Sequence, residues 1–256
     1  MSAEELLQQQ AVDRVLTITI NRPAQRNAIN YDLAVALGAA LDRLDADPAL
    51  AVGVLTGSGG TFSAGMDLKA FAGGQTPILP GRGLGGLTRA VVVKPLIAAV
   101  EGWALGGGFE LALACDLIVA AENATFGFPE VKRGLIAGEG GVVRLPHRLP
   151  HHVAMRLLLT GDPITAPTAQ QYGLLAELAP AGGALEAAQT LAARIAVNAP
   201  LALAAVKQVV RGTQCLTDSD AFTRQDEIAA PLLTSEDARE GAVAFAEKRP
   251  PVWHGR

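Results

Sequence analysis

Two acids placed among apolar residues are the groups of this 256-residue chain best suited to chemistry. Glu110 lies in Phe109-Glu110-Leu111-Ala112-Leu113-Ala114, and Glu130 follows Phe126-Gly127-Phe128-Pro129. A carboxylate surrounded by residues built for burial needs a partner or a function, and Glu110 has no basic residue within four positions. Just ahead of it stand Gly106, Gly107 and Gly108. The first N–H groups of a helix lack an internal partner and carry the positive end of its dipole. Glycine lets a substrate atom approach that backbone without meeting a Cβ. Such a helix start can hold a developing negative oxygen while two carboxylates move protons beside it. The bland alternatives are that the glycines only allow tight helix–strand packing, and that both acids are structural, which requires basic partners for both.

The elements that must position these groups are legible around them. The spacing predicts a buried strand from Ile97 to Trp103, a short helix carrying Glu110 and closed by Asp116, and a second buried strand over 117–120. Upstream, Val15 to Ile20 alternates as a half-buried strand, with Leu16, Ile18 and Ile20 on one face. Asn30 caps a helix with the stripe Leu33, Leu37, Leu41, Leu44, and Asp47-Pro48 stops it. Strands are expected over 51–56 and 61–63, the latter breaking at Ala64-Gly65 into a helix that Asp67 caps. Helices follow over 153–160 and 165–173, then over 183–197, 200–212, 218–233 and 235–247, interrupted by Pro200, Gly212 and Pro231-Leu232. A strand-rich core over 1–182 followed by a helical region over 183–256 is the expected organisation.

Other candidate motifs fail on context. Gly81-x-Gly83-x-x-Gly86 has the letters of a dinucleotide fingerprint but no leading strand, and the Gly/Pro-rich stretch 73–86 reads as a mobile loop over a pocket. Ser63 lacks the first glycine of a nucleophile elbow. His147, His151 and His152 sit in the proline-punctuated Arg144–His152 stretch and read as solvated loop residues; no metal site is expected. Half the residues are hydrophobic and the net charge is −4, with no basic run to meet nucleic acid or an anionic membrane. No apolar run approaches the ~20 residues of a membrane span. Cys115 and Cys215 lack CxxC spacing and read as free thiols, and the polar, acidic N-terminus carries no leader pattern, so a soluble cytoplasmic chain is expected.

From Ala98 to Asp116 the chain matches AxxxGxAxGGGxELALxCD, followed at 126–130 by FGxPE. Asn21-Arg22-Pro23 with Arg26-Asn27-Ala28, the stretch 62–68 and Gly140-Gly141 before Arg144-Leu145 complete the series. On these motifs, in this order, the whole chain resembles the crotonase (enoyl-CoA hydratase/isomerase) superfamily. The resemblance implies an α/β fold, a spiral of repeated ββα turns, with a helical C-terminal region that packs subunits into homotrimers, often paired into hexamers. It implies an acyl-CoA thioester substrate, with coenzyme A part of the substrate and no separate cofactor. It assigns the oxyanion N–H groups to Met66 and Gly107, catalysis to Glu110 and Glu130, and substrate or CoA contacts to Arg26, Ala28, Ala64, Asp67, Leu68, Phe245 and Lys248. For Asp67 the helix cap is the competing reading, and for Lys248 a solvated helix face.

Two donors on a thioester oxygen acidify C2 and make C3 of an enoyl group electrophilic, so one carboxylate can activate water and the other can handle the C2 proton. The family's simple isomerases commonly keep only the acid at the Glu130 position, so holding both favours hydration or dehydration, with Glu110 on the water. An isomerase or acyl-CoA hydrolase of the same fold is the alternative, and a non-catalytic acyl-CoA-binding protein a third reading. The chain departs from the usual PGxGG loop in having Ala137-Gly138-Glu139-Gly140-Gly141, and its RLPxxLP run looks closer to carnitinyl-CoA dehydratase-like members. Glu139 is expected either at the pocket mouth, raising a neighbour's pKa or selecting a polar acyl group, or as a solvated loop acid.

Overall fold

The computed structural model describes residues 3–256. The chain opens with α1 (Ala3–Leu6) and the antiparallel hairpin β1 (Leu7–Val12) and β2 (Val15–Ile20). Leu16, Ile18 and Ile20 are buried as their alternation requires. Thr17 on the other face is buried as well, so this strand is covered on both sides and not half-buried. In α2 (Tyr31–Ala46), the Asn30 side chain accepts from the Leu33 N–H at 3.1 Å, and the expected leucine stripe is fully buried. β3 (Val52–Gly57) follows.

From β3 onward the chain repeats one step: a strand in a large sheet, a short strand in a second layer, then a helix. In the first turn the second strand is reduced to single bridges, Ser63 with Ala104 and Ile29 with Met66, before α3 (Leu68–Ala72). The strand expected over 61–63 is therefore absent. The stretch read as a mobile loop instead contains the hairpin β4 (Ile78–Leu79) and β5 (Gly83–Leu84), and it buries Leu84 and Leu87. The second turn is β6 (Leu96–Val100), β7 (Trp103–Leu105) and α4 (Gly107–Ala114). The single strand expected over 97–103 is two, because the chain crosses between layers at Gly102, where φ is +55° and a Cβ would lie 2.3 Å from the Gly60 carbonyl oxygen. The third is β8 (Leu117–Ala121), β9 (Thr125–Gly127) and a single 3-10 turn, Pro129–Arg133.

Next come α5 (Gly141–Arg148), α6 (His151–Thr160), β10 (Ile164–Thr165), α7 (Ala166–Gln171) and β11 (Glu177–Ala179). The histidines read as loop residues are helical: His147 lies in α5 despite Pro146, and His151 and His152 open α6. The large sheet runs β1-β2-β3-β6-β8-β11, parallel from β2 on, and the second runs β10-β9-β7.

The helical region is α8 (Ala184–Ala196), α9 (Pro200–Thr213), α10 (Asp218–Leu233) and α11 (Glu236–Glu247), and α10 runs through Pro231 without a break. Although it lies beyond residue 182, α8 lies flat on the sheet. Its alanines at 188, 192 and 196 pack against Val52, Val54, Ile97 and Val119, while α2 and α4 fill the opposite face. Alanines at four-residue spacing let the helix axis come close to the strands. Among the described residues no single helix is long and apolar enough to cross a membrane.

Asp116 does not close α4, which ends at Ala114. Its carboxylate latches α9 to the core, taking Lys207 Nζ at 2.7 Å, Arg211 Nη2 at 3.1 Å and the Leu96 N–H at 2.8 Å. Lys207 is largely buried there, so removing its partner strands a charge. Asp116→Ala is expected to cost about 3 kcal/mol of stability; urea unfolding checks this, and a loss below about 1 kcal/mol rejects the latch.

Candidate active site

Two turns of the spiral approach each other where side chains are missing. Gly65 has φ +92°, and a Cβ there would lie 2.7 Å from the Leu105 carbonyl oxygen and 2.9 Å from the Gly107 nitrogen. A Cβ on Gly107 would lie 3.4 Å from the Met66 nitrogen. The N–H groups of Met66 and Gly107 are thus neighbours, and among the described residues neither donates a hydrogen bond. Gly107 is the first residue of α4, so its N–H has no intrahelical acceptor, as sequence reasoning expected. Met66 is fixed from the other side: Ile29 N–H donates to Gly65 O at 2.8 Å, and Asp67 N–H donates to Ile29 O at 2.9 Å.

The motif around Asn27 is what sets that turn. Asn27 is wholly buried at φ +55°; its side-chain N–H donates to Ser58 O at 2.9 Å and Thr61 O at 2.6 Å, and its Oδ1 accepts from the Arg22 N–H. Arg22 in turn bonds Ala28 O and pairs with Asp67 at 3.1 Å. Ser63, once set aside as a nucleophile, is buried and donates to Asn27 O at 2.8 Å.

Both acids stand beside the donors. Glu110, only 3% exposed, is in the first turn of α4, and its Oε1 accepts from Glu139 N–H at 2.7 Å and Gly141 N–H at 2.9 Å. Burial raises its pKa to about 7; the two N–H bonds oppose this, and the nearby Glu130 and Glu139 carboxylates add to it. Glu130 projects from the 3-10 turn toward Gly106, where a Cβ would lie 2.9 Å from its Oε1. Its Oε2 is buried without a partner. Burial raises the Glu130 pKa, against the N–H of its own backbone and the charge of Arg133. Among the described residues neither acid has an ion-pair partner, which both would need for a purely structural role. Aromatic stacking sets one acid relative to the other: Phe109 packs on Phe128 at 4.7 Å and on Phe126 at 5.1 Å, and Phe128 reaches Gly141.

A cavity of ≈ 300 Å³ gathers Met66, Gly107 and Glu130 with Arg26, Ala64 and Leu68, while Glu110 is not in its lining. Trp103, Leu105, Arg133 and Leu135 complete its wall and were not singled out from the sequence; nothing but their adjacency to the motifs pointed to them. A larger cavity, ≈ 690 Å³, opens beyond residues 138–140 and is lined by Arg89, Arg144, Arg148 and Arg211. It contains neither N–H donor nor Glu130, so the smaller cavity is the candidate site.

Some expected contacts lie elsewhere in the single chain. Asp67 is taken up as the cap of α3, accepting from Lys69 and Ala70 N–H, and as the partner of Arg22. Burial opposes its charge, yet these bonds and Arg22 hold its pKa below the usual carboxylate range. Ala28 lies against Arg22 and outside the cavity lining. Phe245 is 88% exposed on α11, and Lys248 caps that helix in the left-handed conformation; neither lines the cavity. Glu139 is not solvated. Its carboxylate accepts from Leu84 N–H, Thr88 Oγ1 and Arg89, and it does raise its neighbour Glu110.

Comparison with known proteins agrees with this geometry. Residues 10–256 match the family model described as Enoyl-CoA hydratase/isomerase. The chain is 43% identical over 251 residues to a carnitinyl-CoA dehydratase of Salmonella typhi, covering 94% of this chain and 95% of that protein. The crystal structure of enoyl-CoA hydratase EchA1 from Mycobacterium marinum superposes with a TM-score of 0.96 at 54% identity, covering 99% of this chain and 100% of the other. A carnitinyl-CoA dehydratase structure from Mycobacterium avium 104 gives 0.79 at 47% identity, with coverage of 98% and 99%. With its crotonase-type spiral and both acids in place, the chain belongs to the enoyl-CoA hydratase/isomerase family.

Proposed function

We propose that the protein is a hydro-lyase that adds water across the 2,3 double bond of an enoyl-CoA thioester, or removes it in reverse. The observation that carries this is the convergence of two free backbone N–H groups and the buried Glu130 carboxyl on one cavity, with the buried Glu110 carboxyl in the first turn of the helix whose first residue is Gly107. The thioester oxygen takes the N–H groups of Met66 and Gly107, which strengthen as charge moves onto it. Glu110, whose Oε1 is held by two N–H groups that favour its charged form, takes a proton from water as the water oxygen bonds C3. The pair of electrons displaced from the double bond collects as an enolate, and Glu130, whose burial favours its protonated form, gives a proton to C2. Exchange with solvent returns one proton from Glu110 to Glu130.

Arg26, Ala64 and Leu68 line the cavity together with Glu130, which suits contacts to the CoA arm of the substrate. Phe245 and Lys248 are exposed where a neighbouring subunit can bring them to the nucleotide end. Val206, Val210, Phe222 and Leu233 form an uncovered apolar face on α9 and α10, which supports self-association as a trimer or a pair of trimers. The cytoplasmic location expected from the sequence fits action on a pool of acyl-CoA esters.

Glu110→Gln, Glu130→Gln and the double variant, assayed on crotonyl-CoA, are expected to lose about 10²–10⁴ in kcat each, with the double little worse than the poorer single. Near-wild-type hydration by folded Glu110→Gln removes it from the mechanism and leaves the single-acid isomerase reading. Lys248→Ala is expected to raise KM and leave kcat alone; a fall in kcat at unchanged KM rejects the contact.

The pKa of Glu110 also has a consequence for stability. It is raised from 4.5 to about 7 on folding, so the folded state holds its proton more tightly than the unfolded chain. That contribution is fully present below pH 4.5 and is lost as the pH rises through about 7. Glu110→Gln, which cannot ionise, is therefore expected to be more stable than wild type by about 3 kcal/mol at pH 8 and equal to it near pH 4. Parallel melting curves across this range test it.

A further inference from the structure

Glu139 joins two loops that meet at the acids. Its own N–H, with that of Gly141, holds Glu110 Oε1, while among the described residues Oε2 accepts no bond and is left for a water. Its carboxylate, 13% exposed, reaches the other way into residues 83–89. There Oε2 accepts from Leu84 N–H at 3.1 Å, Thr88 Oγ1 at 3.2 Å and Arg89 Nε at 3.2 Å, and Oε1 takes Arg89 Nη2 at 2.7 Å. Three donor groups spread over six residues converge on one carboxylate, more than a surface ion pair supplies.

The same two loops are tied a second time. Arg144 donates to Thr88 O and to Glu139 O, and its guanidinium lies where a Cβ of Gly140 would be. Residues 83–89 also serve the oxyanion site directly, since Leu84 Cδ2 lies 2.4 Å from where a Cβ of Gly107 would stand. One carboxylate therefore registers the loop behind the donor at Gly107 against the loop that holds Glu110.

We propose that Glu139 is a positioning residue for Glu110: by locking residues 83–89 to residues 137–141, its carboxylate keeps the Glu139 and Gly141 N–H groups on Glu110 Oε1 and Oε2 turned toward the reacting water. It touches no substrate. The role rests on the hydro-lyase reading given above, and it places Arg89 as the outer half of the lock. The charged groups that face Glu110 are Glu130 from the 3-10 turn, Glu139 from its loop and Arg144 from α5.

The test follows the ionisation of Glu110 by ¹³C NMR of the glutamate side-chain carboxyls, assigned as the titration near pH 7 that Glu110→Gln removes. The N–H bonds favour the charged form, so loosening the lock raises the midpoint. Removing the Glu139 charge alone lowers it. Glu139→Ala is expected to move the midpoint up by roughly half a unit or more and to lower kcat on crotonyl-CoA by about 10-fold at unchanged KM. Arg89→Ala, at an exposed position, is expected to show a smaller rise, and Glu139→Gln, which keeps an acceptor for Leu84 and Thr88 but loses the charge, to keep kcat close to wild type with a midpoint slightly below it. A drop in melting temperature with an unmoved midpoint reduces Glu139 to a strut, and a midpoint that falls in Glu139→Ala makes it a charge effect; either overturns the proposal. Wild-type protein that does not hydrate crotonyl-CoA counts against the hydro-lyase reading, while the titration still judges Glu139.

Discussion

The site depends on how closely two loops of backbone can approach. Gly65, Gly107 and Gly108 lie at the contact between the first and second turns of the spiral, and a Cβ on any of them would meet main-chain or side-chain atoms within 2.9 Å. For Gly108 the nearest is the Ser63 carbonyl oxygen, at 2.3 Å. Any other residue would push the turns apart and with them the N–H groups of Met66 and Gly107. Donors that must meet one oxygen have little tolerance, because preorganised N–H groups act only if no reorganisation is needed when charge develops. The rest of the molecule holds this contact: parallel strands fix the height of each turn, and Asn27 clamps the first turn from behind through Ser58 and Thr61.

The contact also explains the electrostatics. Packing α4 tightly enough to present Gly107 buries its first turn, and Glu110 is in that turn. Its carboxyl must then find donors inside the protein, and the loop 138–141 supplies two N–H groups instead of a cation. A cation would have held the carboxylate ionised and unreactive well below neutral pH. Backbone donors leave it near pH 7, able both to take and to release a proton. Glu130 is treated differently: its Oε2 has no partner, and Arg133 is the favourable charge nearby. Two carboxyls of the same type thus receive different environments, as divided acid and base roles require.

How much of this was legible in the sequence varies with the range of the interaction. Local patterns were sufficient for α2, where Asn30 and four leucines define cap and face, and for α8 to α11, where periodicity set the bounds to within a few residues. Glu110 stood out because an acid among Phe, Leu and Ala conflicts with its surroundings. Interactions between distant segments left no such mark. Asp116 reads as a helix stop until α9 brings Lys207 to it, and nothing local to Ser63, set aside as a nucleophile on its motif, shows that its hydroxyl holds Asn27 O. α5 was hidden by Pro146, a residue that ordinarily argues against a helix, and the hairpin at Ile78–Leu84 by a run of glycines that suggests mobility.

Glu139 marks the limit of local reading most clearly. Flanked by glycines, it looks solvated, yet the glycines are there for its neighbours. Gly140, at φ +121°, makes room for the Arg144 guanidinium, and Gly141 lets Phe128 approach the loop. Those two contacts fix the path of residues 137–141, and the path aims two N–H groups at Glu110 and one carboxylate at residues 83–89. A smaller residue at 139 would lose the link to the loop that backs Gly107, and with it the hold on the aim of those N–H groups. The acid therefore belongs to the same constraint as the glycines at 65 and 107: each fixes the separation of two loops whose distance decides whether the donors and the base face one substrate.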